Sequence, residues 1–174
     1  FLVSLFFISM ISIKEDIHKN LNNTYLKDIK SGIEFIKNEK GIFVLILMTS
    51  INNLFIMGPA IIGIPVFVKE VLTADFGVYA QLETSMAAGM IIGSFIFWKT
   101  VKRINPISIL LFGIVMDGVT YSFLYFSDSS MSAIFILLIH GIGIPLITIS
   151  RTTIIQAVVP DKFRGRLFSM IYMA

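Results

Sequence analysis

Four long apolar runs, separated by short polar loops, dominate the 174 residues of this chain. The runs cover residues 42–68, 78–98, 107–126 and 131–159. Each is long enough to cross a hydrocarbon core of about 30 Å as a helix that rises about 1.5 Å per residue. A helix satisfies its own backbone hydrogen bonds, as a lipid environment requires. The sequence therefore predicts an all-α membrane protein with four complete spans.

Composition supports a membrane protein and argues against several other classes. Hydrophobic residues make up 56% of the chain, charged residues 14%, and the mean hydropathy is +0.87, whereas soluble domains carry about 25% charged residues. The basic residues lie in separate loops, which argues against a nucleic-acid partner. The chain has no cysteine, phosphate-binding loop, metal-binding helix or nucleophile motif, so we expect neither an enzyme nor a cofactor nor a metal site.

Both ends of the chain are apolar as well. Residues 1–13 are too short to span a bilayer and carry no basic leader, and another apolar run starts at residue 167. We therefore expect a part of a larger protein. It would comprise the end of one span at 1–13, a cytoplasmic linker at 14–41, and a bundle at 42–174 that includes the start of a further span.

Positive charge alternates from loop to loop. The segments 14–40, 99–103 and 162–166 carry twelve of the fourteen Lys and Arg residues, whereas the two intervening loops carry only Lys69. The positive-inside rule therefore predicts that the basic loops lie in the cytoplasm.

The linker contains an amphipathic pattern at helical spacing. Its apolar positions are Leu26, Ile29, Ile33 and Ile36, and its charged positions are Lys27, Lys30, Glu34 and Lys37. This pattern favours a connector helix that rests on lipid headgroups. A regulatory docking site is the alternative.

Three motifs are similar to those of a known transporter family. They are DIKSGIEFIKNEKG at 28–41, IPVFVKEVL at 64–72 and QAVVPDKFRGR at 156–166. Together with the order of spans and loops, they resemble the second half of a major facilitator superfamily transporter, in the bacterial drug-efflux branch related to macrolide efflux proteins and the enterobactin exporter. The resemblance implies a multi-pass inner-membrane protein with a twelve-helix fold, of which this chain would hold the end of helix six to the start of helix eleven.

The inner loops supply candidates for gating. This superfamily usually has an acidic residue after the glycine of its inner-loop signature, but the segment 93–103 (GSFIFWKTVKR) has none. The residues expected to take part in gating are Gly93, Lys102, Arg103, Asp161, Arg164 and Arg166.

Ionisable residues inside the spans are functional candidates, since each costs about 2.5–3.5 kcal/mol to insert. Asp117 lies near the middle of its run and has the chemistry of a proton carrier. Counted from the inner ends of their helices, Asp117 and Arg151 differ in depth by about 3 Å, so either a structural salt bridge or a transport role is open to them. The resemblance places Arg151 on a cavity-lining helix, which favours a substrate or coupling role. Snorkelling to inner headgroups is its alternative.

Further polar residues complete the set of substrate or coupling candidates: Asn52, Asn53, Glu83, His140 and Gln156. Neighbouring residues on a helix point about 100° apart, so at most one of Asn52 and Asn53 faces a cavity squarely. Glu83 is either an outer-gate proton site or a carboxylate in outer water. His140 is either a proton relay or a packing residue.

Glycine and proline positions suggest bends and close contacts. Pro59 and Pro65 predict a bend in the first complete span, and Pro145 predicts one in the fourth. Gly89 and Gly93 form a small-residue face that lets two helices approach closely.

Taken with the resemblance, these features favour a secondary active transporter that exports drug-like or amphipathic molecules, coupled to protons, by alternating access. Its partners would be membrane lipids, a small-molecule substrate, protons and the N-terminal half of the same transporter. One alternative is an exporter of a specific metabolite such as a siderophore or a lipid. A non-transporting membrane sensor or scaffold with the same fold is the other.

Overall fold

The computed structural model describes Met10 and residues 25–173 of the chain, and these residues form helices without strands. The helices are α1 (Tyr25–Asn38), α2 (Lys40–Val71), α3 (Phe76–Thr100), α4 (Pro106–Phe126), α5 (Ser130–Val158) and α6 (Asp161–Met173). Helices α2 to α5 are long and apolar enough to cross a membrane. The prediction of an all-α membrane protein is therefore confirmed. The expected end of a preceding span at 1–13, apart from Met10, and the linker residues 14–24 lie outside the described residues.

Polar caps explain where three of the spanning helices begin. The side chain of Asp75 accepts a hydrogen bond from the backbone N–H of Val78 at 3.3 Å at the start of α3. Asn105 does the same for Ile107 at 2.9 Å in front of α4. Ser129 caps α5 in the same way. The connections between the spans are short, and α4 and α5 pack side by side as an antiparallel hairpin, whereas α3 packs mainly against α5.

Glycines set the distance between α3 and α5. A Cβ atom added at Gly93 would lie 2.6 Å from Cγ of Pro145 and would overlap the carbonyl oxygen of Ile142. A Cβ atom on Gly89 would come within 3.0 Å of Cα of Gly141. The close helix approach predicted for Gly89 and Gly93 is thus present, and the two backbones meet almost directly.

Helix α5 lies at the centre of the described bundle. In its most apolar stretch 44% of the residues are buried, against 18% in α2. Two larger apolar clusters, one towards each end of the spans, and a smaller one of Phe97, Ile109 and Leu146 hold the helices together. The first contains Ile42, Leu45, Leu110, Ile147, Ile155, Val159, Leu167 and Ile171, and the second contains Ile64, Val68, Leu82, Leu124, Ala133 and Leu137. Asn52, Asp117, Thr120 and His140, described below, lie between the two larger clusters.

Helix α2 is interrupted twice by π-helical turns, at Asn53–Met57 and at Phe67–Val71. In the first of these turns the N–H of Gly58 bonds to the carbonyl oxygen of Asn53, five residues back. Proline has no backbone N–H to donate. Pro59 lies two residues after the first turn and Pro65 two residues before the second, so the regular α-helical hydrogen bonds are interrupted near both turns. In contrast, α5 continues through Pro145 as a single α-helix.

Candidate functional site

A buried carboxylate and a buried imidazole meet between α4 and α5. Asp117 is 3% exposed and His140 is 4% exposed. Oδ1 of Asp117 lies 3.3 Å from Nδ1 of His140. The two titratable groups therefore form a pair that is removed from solvent.

Thr120 indicates which nitrogen of the imidazole carries a proton. Its hydroxyl donates to the carbonyl oxygen of Met116 at 2.7 Å, one turn back on α4. The same oxygen lies 3.2 Å from Nδ1 of His140. With its one proton directed to Met116, the hydroxyl of Thr120 can only accept from the ring, an arrangement that requires a proton on Nδ1 of His140 and that also suits the carboxylate oxygen 3.3 Å away.

Asn52 brings α2 into this cluster. Its side-chain amide lies within interaction range of the carboxylate of Asp117, and it is the last residue before the π-helical turn that begins at Asn53. In the described part of the chain, the side chain of Asn53 makes no hydrogen bond to Asp117 or His140. We name Asn52, Asp117, Thr120 and His140 the polar cluster. It connects three spanning helices at one point.

The structure does not pair Asp117 with Arg151. Among the described residues, the partner of Asp117 is His140, whereas Nη1 of Arg151 lies 3.4 Å from the hydroxyl of Thr49 on α2. The salt-bridge alternative is therefore wrong. That alternative assumed that Asp117 and Arg151 lie at similar depths, counted from the inner ends of their helices. These ends do not lie at one level, because α5 has 29 residues and α4 has 21.

Arg151 lies beside a small cavity between α2, α4 and α5. The cavity measures about 10 Å³, and its polar lining consists of Thr49, Asn52 and Arg151. This volume is on the order of what one water molecule needs. Asn52 therefore belongs both to the cavity and to the polar cluster, so polar groups follow one another from Arg151 to His140 along the helix interfaces.

The other spanning candidates lie apart from this cluster. Glu83 is half-buried on α3, and no contact links it to the polar cluster in the described structure. The side chain of Gln156 is exposed near the end of α5. Asn52, Asp117 and His140 of the polar cluster were therefore predicted from the sequence. Thr120 of the cluster and Thr49 beside Arg151 were not.

Two of the loop candidates act at the end of α5. Arg164 donates from Nε to the carbonyl oxygen of Val159 at 2.8 Å and from Nη2 to that of Gln156 at 2.6 Å. It also forms an ion pair with Asp161. The guanidinium thus binds carbonyl groups that a helix end leaves without partners.

The remaining gating candidates have different surroundings. Arg166 lies over the ring of Phe163, with 5.7 Å between guanidinium carbon and ring centroid, and Phe163 stacks on Phe35 of α1 at 4.6 Å. Lys102 and Arg103 are exposed in the turn after α3. Gly93 lies in the contact between α3 and α5, so helix packing explains why a glycine occupies this position.

We expect Arg164→Ala to destabilise the junction of α5 and α6 by about 1–3 kcal/mol, because it leaves two helix-end carbonyl groups without donors. Amide hydrogen exchange between residues 156 and 166, measured in the complete protein, should accelerate. Lys102→Ala, at an exposed position, is the matched control. Equal exchange in the two variants would show that Arg164 does not stabilise this helix end.

Comparison with known proteins agrees with the helical architecture. The family model of the Major Facilitator Superfamily matches residues 1–174. Macrolide efflux protein A of Enterococcus faecalis is 24% identical over 157 residues, which are 87% of this chain and 47% of that protein. Macrolide efflux protein A of Streptococcus pyogenes has the same identity and covers the same share of the chain, with 38% of its own length matched. The chain thus spans about half or less of these relatives, and no solved structure matches it.

Proposed function

Because this chain belongs to the Major Facilitator Superfamily, a family of membrane transporters, we propose that the complete protein is a secondary active transporter that exports drug-like or amphipathic small molecules in exchange for protons. The observation that carries this proposal is the polar cluster in the middle of the spans. A buried ionisable group costs about 2.5–3.5 kcal/mol to place in a membrane, so its presence needs a functional reason. Proton coupling supplies that reason.

The relatives and the exposed surface of α2 support the substrate class. Two relatives carry the name macrolide efflux protein. Helix α2 exposes large apolar side chains beside its first π-helical turn, including Leu54 and Phe55, both 69% exposed. In the proposed arrangement this surface faces lipid and the N-terminal half of the transporter. The basic loops lie in the cytoplasm, and substrate binds near the bilayer midplane.

The test is transport by the complete protein that carries this sequence, reconstituted in liposomes. A pH gradient with the acidic side inside should drive accumulation of radiolabelled erythromycin, a macrolide, beyond the passive trapping of this weak base in protein-free liposomes, and a protonophore should abolish it. A sodium gradient and external ATP are the controls. Accumulation that survives the protonophore would contradict proton coupling, and folded protein that moves no erythromycin under any gradient would contradict the substrate class.

A further inference from the structure

The polar cluster combines a carboxylate, an imidazole and an amide from three different spanning helices. We propose that Asp117 and His140 bind one exchangeable proton as a single unit, and that Asn52 transmits their protonation state to α2. This inference rests on the proposed function, since it locates the proton site of the transporter. Its tests, however, need neither a substrate nor transport.

Charge explains why the unit binds one proton. With no exchangeable proton the pair consists of a carboxylate and a neutral imidazole, so its net charge is −1. One proton, on Asp117 or on His140, makes the pair neutral overall, and a second would make it +1. Because a buried net charge is costly, the neutral state is the favoured one. The proton comes from bulk water and returns to it, and only one O–H or N–H bond forms or breaks.

Among the described residues, no third charged side chain forms an ion pair with Asp117 or His140. On α4, Tyr121 lies beside the ring of His140, at 5.7 Å between centroids. Helix α2 faces Asp117 with the uncharged Asn52, and its charged residues lie at its two ends. On α5, the backbone of Arg151 lies about 16 Å further along the axis, at about 1.5 Å per residue, and its side chain reaches the cavity that Asn52 also lines. Helix α3 contributes Tyr79, Glu83 and Lys99, and no described contact joins them to the pair.

Asn52 links this titration to the position of α2. Its amide lies within interaction range of the carboxylate of Asp117, and a hydrogen bond to an ionised group is roughly twice as strong as one between neutral groups. A proton on Asp117 therefore weakens the attachment of α2 to α4, whereas a proton on His140 leaves the carboxylate ionised and this attachment in place. The π-helical turn that starts at Asn53 interrupts the regular helix directly after Asn52. Protonation of Asp117 should thus release α2 around this turn.

The first experiment follows proton binding in the complete protein by infrared difference spectroscopy during a pH titration without substrate. Carboxylic acid and imidazole bands are both recorded, so the step is visible whichever group carries the proton. Asp117→Asn and His140→Gln should each abolish this step or move its midpoint by about one pH unit or more, as expected for coupled groups. Asp128→Asn, at an exposed loop position, is the matched control.

Two results would overturn the shared site. One is a midpoint that stays at the wild-type value in either single variant. The other is an identical shift in Asp128→Asn. If Asp117→Asn does not fold, His140→Gln and Asp117→Glu carry the test, and unchanged bands in Asp117→Glu would likewise overturn the proposal.

The second experiment follows α2 directly. Spin labels at Ile62 on α2 and Phe112 on α4, both exposed, should report a distance that changes with pH in the otherwise unmodified protein. Asn52→Leu should lose this change and keep the proton-binding step. An equal distance change in Asn52→Leu would overturn the role of Asn52. A protein that titrates here without moving erythromycin contradicts the proposed function alone, whereas a proton-driven transporter without this titration contradicts the shared site alone.

Discussion

Gly93→Ala should destabilise the protein by about 3 kcal/mol, the upper end of the usual cost of overpacking, and remove much of the folded protein from the membrane, although it adds a single methyl group. That methyl would lie 2.6 Å from Cγ of Pro145 and would overlap the carbonyl oxygen of Ile142. Neither group is the end of a flexible side chain, so α3 and α5 must separate along their contact. Overpacking that moves a backbone is among the most destabilising changes in a core.

Gly118→Ala is the matched control, because it makes the same chemical change in the neighbouring helix α4. A Cβ atom on Gly118 meets nothing within 4 Å. Alanine also favours a helix over glycine by up to about 1 kcal/mol, so this variant should be neutral or stabilised. The monodisperse fraction after detergent extraction and the midpoint of thermal unfolding measure both variants. A similar loss of folded protein in Gly93→Ala and Gly118→Ala would show that α3 and α5 do not approach as closely as described.

Much of the fold follows from hydropathy, because a bilayer imposes strict conditions on length and polarity. The run at 78–98 lies within α3, and the run at 107–126 lies within α4. Caps such as Asp75 and Asn105 stand directly before the helices that they start. The glycines Gly89 and Gly93 indicated a close contact through their spacing alone. These features are local, so a single sequence carries them.

The pairing within the polar cluster depends on how helices align, and the inner helix ends were the wrong reference. The loop at 127–129 closes the α4–α5 hairpin. Asp117 lies nine residues before the end of α4 at Phe126, and His140 lies ten residues after the start of α5 at Ser130. At about 1.5 Å per residue these depths nearly coincide. Counting from the hairpin would have identified this pair.

Nothing in the sequence distinguishes Thr49 and Thr120 from the other threonines of the spans. Hydroxyl groups in spanning helices commonly bond back to a carbonyl one turn earlier, as Thr84 and Thr148 do here. Thr49 and Thr120 make the same local bonds and additionally contact Arg151 and His140. Only the packing of neighbouring helices distinguishes them.

The packing of the linker helix α1 against α6 also could not be predicted from the sequence. The amphipathic pattern predicted a helix on headgroups, and α1 does form over Tyr25–Asn38. Ile33 is 42% exposed, whereas Phe35 and Ile36 pack against the cluster that includes Leu167 of α6. The contact between Phe35 and Phe163 joins residues far apart in sequence. No local pattern identifies such a partner.

Arg151→Gln should lower proton-driven transport of erythromycin by about 10- to 100-fold while the amount of folded protein stays near the wild-type level. Arg151 is half-buried, contacts Thr49, and shares a cavity with Asn52 of the polar cluster. We assign this loss to one hydrogen bond between the guanidinium and the substrate or a coupling group, because a hydrogen bond to a charged group is worth about 1.5–3 kcal/mol, or roughly one to two orders of magnitude. Arg151→Lys keeps the charge and should retain part of the activity. Lys69→Gln, with a side chain that is 82% exposed, controls for the loss of one positive charge.

The double variant separates a functional Arg151 from a structural one. Because Asp117 pairs with His140, neutralising it should not restore what Arg151→Gln loses, and Asp117→Asn with Arg151→Gln should transport no better than either single variant. A buried ion pair behaves differently: removing one partner costs about 3–5 kcal/mol of stability, and removing the second recovers much of it. Low folded yield in Arg151→Gln, restored by Asp117→Asn, would therefore show that the two residues pair after all. Wild-type transport in Arg151→Gln would instead show that this guanidinium serves neither substrate nor coupling.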